Sequence, residues 1–288
     1  MISLAPASGL ELELRVCPAL SDKQFLLTIE QLSNSLVRGC ASSLFLDRGE
    51  NFVQSRAYQQ GDAMNSIDWK ASARSKSLIV KEHESMRQTV VSLVVDRSGS
   101  MTAGSPAESK YVSACILCGG LAYAALKIGS PVAILLSDAE THPAATLSSS
   151  RISAQIMAMR RFRFRQRTPL SRCIGEGFLR TKHRQMIFVL SDFHDACALD
   201  RIAPLAERHE VVLIRFRDAI EVRTPSVGVI HLLPAEGDRA RYARHQTPQQ
   251  GTVDEAFAAL GLPTVLIDPA QPVSRQLVNF LSLQKAIF

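Results

Sequence analysis

Residues 89–101 read Thr-Val-Val-Ser-Leu-Val-Val-Asp-Arg-Ser-Gly-Ser-Met. From Val90 to Val95 the run is apolar and mostly β-branched, interrupted only by Ser92, and it stops at Asp96. Strands buried on both faces look like this, and they belong to parallel sheets flanked by helices. In such sheets ligands collect at the carboxyl ends of the strands. Oxygen-bearing side chains follow there at alternate positions: Asp96, Ser98 and Ser100. One carboxylate with two hydroxyls is a hard donor set suited to Mg²⁺ or Mn²⁺, with room for waters and an outside ligand. Ser-Gly-Ser after a strand is equally an ordinary turn and helix N-cap. Spacing alone leaves both readings open.

Outward from this stretch the chain alternates. Lys110 to Lys127 is apolar nearly all round, which predicts a helix buried against the sheet. Val132 to Leu136 reads as a strand, residues 150–159 as a helix, and Met186 to Leu190 as another buried strand ending in Ser191-Asp192. A helix over 200–208, strands over 211–216 and up to Ile267, and a helix over 274–286 complete the pattern. Alternation through residues 89–288 predicts a doubly wound, mostly parallel α/β sheet, in a domain over residues 86–288. Gly237-Asp238, flanked by residues 227–233 and 239–244, predicts an inserted hairpin. Residues 1–85 form a separate extension. They predict a helix after Ser21 or Asp22 that ends at Gly39, then β-rich chain over 44–88 with a strand over Ser77 to Lys81.

The 288 residues are 46% hydrophobic and 21% charged, the balance of an ordinary globular chain. A net charge of +6 gives a weak preference for acidic partners. The N-terminus lacks a basic segment followed by an apolar core, and the apolar run from Ile116 to Leu136 is broken by Lys127 and Gly129-Ser130-Pro131. No signal peptide, no transmembrane segment and a cytoplasmic location are therefore expected. The six cysteines are expected to be reduced. Cys115 and Cys118 form a CxxC, but inside a buried helix pattern they read as core residues.

Two signatures carry a family resemblance. Asp96-Arg97-Ser98-Gly99-Ser100 matches the Asp-x-Ser-x-Ser motif of von Willebrand factor A domains. Tyr58-Gln-Gln-Gly61-Asp62 and Ile67-Asp68-Trp69-Lys70-Ala71-Ser72-Ala73-Arg74 resemble the signature of one bacterial subgroup of that class, the DUF58 family. The resemblance runs from about residue 40 to the C-terminus. It implies a von Willebrand A, Rossmann-like domain whose Asp-x-Ser-x-Ser loop forms a metal-ion-dependent adhesion site. A loop threonine ahead of a helix gives that site a third hydroxyl, and Thr168, followed by Pro169, is the match. Asp192 matches the remaining acidic residue, with His194 and Asp195 as substitutes. The implied metal ligands are thus Asp96, Ser98, Ser100, Thr168 and Asp192, holding Mg²⁺ (or Mn²⁺ or Ca²⁺). In this class a partner protein donates a carboxylate to the open metal position. The partner implied here is a MoxR-type AAA+ ATPase or its client, with this chain as an adaptor or chaperone-like accessory and not as an enzyme. Family members often carry membrane helices ahead of this domain, and this chain departs from that.

A metal-dependent phosphohydrolase could use the Asp96 loop, but a dehalogenase-type phosphatase needs a second aspartate where Ser98 stands. Gly-x-Ser-x-Gly, a P-loop and a dinucleotide fingerprint are all missing. Arg160-Arg-Phe-Arg-Phe-Arg-Gln-Arg167 interleaves arginine with phenylalanine, as nucleic-acid surfaces do. Strict alternation fits better a solvated link with phenylalanines inward and arginines outward. Nucleic acid is not the expected partner.

Overall fold

The computed structural model describes residues 13–15, 21–41, 52–59, 64, 67–75, 77–83, 89–102, 109–139, 142–163, 170–178, 181, 183–217, 230–232, 241–243, 255 and 257–287. The elements are β1 (Glu13–Arg15), α1 (Asp22–Leu36), β2 (Phe52–Ala57), α2 (Trp69–Ser75), β3 (Ile79–His83), β4 (Val90–Val95) and α3 (Lys110–Lys127). Then come β5 (Val132–Leu136), α4 (Ser149–Met159), β6 (Arg161–Arg163), α5 (Leu170–Gly177), β7 (Gln185–Ser191) and α6 (Ala196–Ala206). The last are β8 (Glu210–Phe216), β9 (Ile230–Leu232), β10 (Arg241–Ala243), β11 (Thr264–Ile267) and α7 (Val273–Ile287).

The main sheet has five parallel strands in the order β11-β8-β7-β4-β5. On β4, Val91, Leu93 and Val95 belong to a core shared with α1, α3, α4 and α7. Val94 belongs to a second core on the opposite face, with Leu170 and Ile174 of α5, Ile202 and Leu205 of α6, and Phe257. Both faces are covered, so the strand is apolar at consecutive positions. Ser92, the interruption, is buried and donates its hydroxyl to Gln185 Oε1 at 2.9 Å, which satisfies it inside the sheet. The expected α/β architecture is the observed one. From β4 the chain passes to β5 on one side, then returns to β7 on the other and continues outward to β8 and β11. The direction of winding therefore reverses between β4 and β7, the place where open α/β sheets bind ligands.

Helix α3 is central because a second helix lies over it. Ser21 and Gln24 form a capping box that starts α1, and Phe25, Ile29, Leu32 and Leu36 turn inward. Each buried side chain of this size contributes roughly 1.5–3 kcal/mol. Gly119 and Gly120 let α1 approach: a Cβ at Gly120 would stand 2.4 Å from Leu32 Cδ2. A larger residue there would have to displace the Leu32 side chain from the core.

Three expectations need correction. Gly39 does not stop the first helix, which runs on as a π-helix from Val37 to Ala41. Gly39 lacks the left-handed backbone that makes glycine a terminator, seen here only at Gly129 and Gly261 among the described glycines. The arginine run is not wholly solvated. Arg160 is 1% exposed, paired with Asp22 and stacked 5.0 Å over the Phe25 ring, and so ties α1 to the end of α4. Beyond it, β6 pairs antiparallel with β1; the side chains of Arg161 to Arg167 lie outside the described residues. The β-rich stretch also holds a helix, α2, between the antiparallel partners β2 and β3. Asp68 starts it by accepting the backbone N–H groups of Lys70 and Ala71, and Ser72 Oγ accepts Ile79 N–H at 2.8 Å. The Gly61-Asp62 turn lies outside the described residues.

The inserted hairpin is observed as β9 paired with β10. Cys115, Cys118 and Cys173 are buried free thiols, and Cys197 is an exposed one. Among the described residues no helix is long and apolar enough to cross a membrane.

Candidate metal centre

Asp96 is the first residue beyond β4, held by its N–H to Leu190 O on β7 at 2.9 Å. Its carboxylate is 3% exposed. Oδ1 accepts Ser98 N–H at 2.8 Å, which folds the next residues back over the strand end. Oδ2 accepts the Ser191 hydroxyl at 2.5 Å. Met101 N–H to Ser98 O closes the short 3-10 turn Gly99–Thr102. Ser98 and Ser100 project the same way, with their Oγ atoms 2.9 Å apart. Ser100 then donates to Asp192 Oδ1 at 3.2 Å. Asp96, Ser98, Ser100 and Asp192, four of the five expected ligands, are thus joined by hydrogen bonds across the β4–β7 switch point.

Asp192 is as buried as Asp96, and its partner is a cation. Lys110 Nζ, at the first position of α3, is 0% exposed and donates to Asp192 Oδ2 at 2.8 Å. The chain turns sharply after Asp192, where Phe193 takes φ 56°. A bulky residue in the left-handed region is strained. The Phe193 ring is buried edge-on against Phe257 at 5.1 Å and its N–H donates to Ser191 Oγ, contacts that offset the strain. At the rim, Arg97 pairs with Asp138 at 2.9 Å and donates its N–H to Ser137 Oγ.

Burial raises the Asp96 carboxyl to about 6, the Ser191 hydrogen bond lowering it and the Asp192 charge raising it. With both carboxylates ionised the three buried groups sum to −1, from Asp96 (−1), Asp192 (−1) and Lys110 (+1). Among the described residues no group of three or more His, Cys, Asp or Glu side chains gathers as ligands. A cation here has to draw on hydroxyls, and two lie between the carboxylates. An all-oxygen set with residual negative charge fits a hard divalent ion.

Thr168 lies outside the described residues. The helix that follows it, α5, is fastened to this rim: Ser171 N–H donates to Asp195 Oδ2 at 3.0 Å. Asp195 also accepts Cys197 N–H and caps α6, so it is committed to two helix starts and α6 begins four residues earlier than expected. His194 is largely exposed, its Nε2 3.6 Å from Asp192 Oδ2. Sequence reasoning missed Ser191 and Lys110. The signal for Lys110 was there: a lysine in the first turn of an otherwise apolar helix, where the helix dipole disfavours a cation.

The chain is 23% identical over 276 residues to the uncharacterized protein Mb1516 of Mycobacterium bovis, covering 90% of this chain and 87% of that protein. The uncharacterized proteins MT1527 and Rv1480 of Mycobacterium tuberculosis match with the same identity and coverage. No solved structure matches the chain significantly. The family described as Protein of unknown function DUF58 matches residues 54–258, from β2 past both carboxylates to the helical residues around Phe257, and the chain belongs to that family.

Proposed function

We propose that this protein is a metal-dependent protein-binding module of the von Willebrand A type, an adaptor or chaperone-like accessory to a MoxR-type AAA+ ATPase. The observation that carries the binding reading is the unbroken run of contacts from Asp96 through Ser98 and Ser100 to Asp192 at the switch point. Asp96, Ser98, Ser100 and Asp192 would hold a Mg²⁺, Mn²⁺ or Ca²⁺ ion, with Thr168 as the further hydroxyl ligand. Bound there, the ion would supply a Lewis-acidic point for a carboxylate of the partner protein. The protein's own part is to keep the oxygens aimed. Asp96 orders the loop through Ser98 N–H, Ser191 holds Asp96, and Lys110 holds Asp192. Among the described residues the hydroxyls and carboxylates of the site are tied to one another by hydrogen bonds, which favours holding over conversion. The choice of ATPase rests on the two sequence signatures, residues 58–74 and 96–100.

Calorimetric titration with Mn²⁺, followed by capture of a purified MoxR-type ATPase, tests both levels. Wild type should bind Mn²⁺ and capture the ATPase only when loaded, while folded Asp96→Ala and Ser98→Ala variants should do neither. Metal-dependent hydrolysis of a phosphoester, lost in those variants, would replace this reading with the phosphohydrolase.

A further inference from the structure

We propose that Lys110 is a built-in competitor for the cation, which weakens metal binding and in return leaves the loaded site positive toward an anionic partner group. This rests on the metal reading above. Lys110 Nζ takes Oδ2 of Asp192, while Oδ1 of the same carboxylate faces Ser100. One carboxylate is therefore divided between an internal cation and the hydroxyl pair. Lysine is almost never fully buried unless it is paired. Helix α3 gains nothing from a cation at this position, since its N-terminus carries the positive end of the dipole. Its cap is provided by Ser109, whose Oγ accepts Val112 N–H. An apolar side chain would serve the helix as well, so the charge answers the Asp192 carboxylate and not the needs of α3.

Charge counting gives the consequence. With Lys110 the cluster carries −1 and a divalent ion brings it to +1; without Lys110 the same sums are −2 and 0. Inside a buried site such differences act at close range and reduced dielectric. Lys110 therefore opposes the first binding event and favours the second. A residue with a merely structural role would weaken both when removed.

The test compares wild type with Lys110→Met, which keeps the length and loses the charge. Lys110→Gln also keeps a hydrogen-bond donor for Asp192, and Lys110→Arg retains the charge. Mn²⁺ affinity is read by calorimetry, and acetate binding to the Mn²⁺-loaded protein by water-proton relaxation. The expected result is Mn²⁺ binding on the order of tenfold tighter in the Met and Gln variants. Acetate binding should be several-fold weaker in both, and Lys110→Arg should resemble wild type. Equal or weaker Mn²⁺ binding in a folded charge-free variant overturns the role of Lys110 and leaves the metal reading intact. Wild type that binds no Mn²⁺ overturns the metal reading and this proposal with it. Should Lys110→Met fold poorly, saturating Mn²⁺ is expected to restore it, because the ion replaces the missing charge. Failure of both charge-free variants to fold with Mn²⁺ present makes Lys110 a folding residue and overturns the proposal.

Discussion

Asp96 and Asp192 leave neighbouring strands at the same rim of the sheet, 3% and 4% exposed. Burial of a carboxylate costs the same at both positions, yet the protein meets the two charges by different means. Asp96 is met by dipoles, a backbone N–H from Ser98 and a hydroxyl from Ser191. Asp192 is met by a full charge on Lys110. Dipoles lower a buried charge only in part, and the Asp96 carboxyl stays raised at about 6. The ion pair at Asp192 is an arrangement from which neither half can be removed alone. One carboxylate is left responsive to its surroundings, and the other is locked into the architecture.

The largest effect expected from this contrast is on Asp192. Asp192→Ala leaves the Lys110 ammonium buried without its carboxylate, and breaking a buried pair from one side costs about 3–5 kcal/mol. Urea denaturation with a chelator present measures this. A loss under about 1 kcal/mol would mean that the pair is not what anchors α3 to β7, and the contrast would fail.

Next in size is the pH dependence of Asp96. Its folded-state value of about 6 lies above the unfolded 3.8, so between these values the folded chain binds more protons than the unfolded one. Stability is then highest when Asp96 is protonated and falls as pH rises through about 6, by up to about 2–3 kcal/mol, levelling off above that. Chelated wild type should show this falling component between about pH 4 and 6, and its difference from Asp96→Asn should carry it. A difference that is flat over that window would show that Ser98 and Ser191 solvate Asp96 fully.

What could be read from the sequence divides along the same line. Strand β4 and helix α3 were legible because burial on all sides leaves a continuous apolar run, and Asp96, Ser98 and Ser100 stand together at the end of the strand. Asp192 was legible as a carboxylate at a strand end, and its place in the site came from the family resemblance. Lys110 was marked by its place in the first turn of an apolar helix, but its role is a contact with a residue 82 positions away. The solvating hydroxyl of Ser191 depends on the register that sets Val95 beside Leu190, which no local pattern encodes. Helix α2 was hidden by Ile67 and Trp69, whose β propensity outweighed the capping by Asp68 that tertiary structure exploits. Gly39 misled because glycine ends helices through its backbone angles, and those are not in the sequence.

Ser191→Ala sharpens the contrast at a smaller scale. It removes the 2.5 Å hydrogen bond to Asp96 and the acceptor for Phe193 N–H. The expected loss is about 1–3 kcal/mol at neutral pH, smaller in acid where Asp96 is protonated. It should also push the Asp96 carboxyl further up. Equal losses at pH 4 and pH 7 would assign Ser191 to the Phe193 turn alone.

The smallest effect belongs to Arg97 and Asp138, a pair at the same rim with side chains 12% and 17% exposed. The guanidinium grips both carboxylate oxygens, at 2.9 and 3.2 Å, and Arg97 sits between Asp96 and Ser98 in the chain. If the loop were held by its outer pair, Arg97→Ala would disturb Ser98 and Ser100 as much as loss of Asp96 does. The loop has an inner anchor, however: Asp96 holds Ser98 N–H, and the backbone bond from Arg97 N–H to Ser137 Oγ survives an alanine. Arg97→Ala should therefore cost about 1–2 kcal/mol, less than breaking the fully buried Lys110–Asp192 pair. Removing Arg97 alone leaves the Asp138 charge uncancelled, so Mn²⁺ affinity should hold or rise slightly, by less than for Lys110→Met because the rim pair lies outside the buried cluster. A tenfold loss of Mn²⁺ binding on removing Arg97 would place the control of the loop at the rim, outside the buried carboxylates.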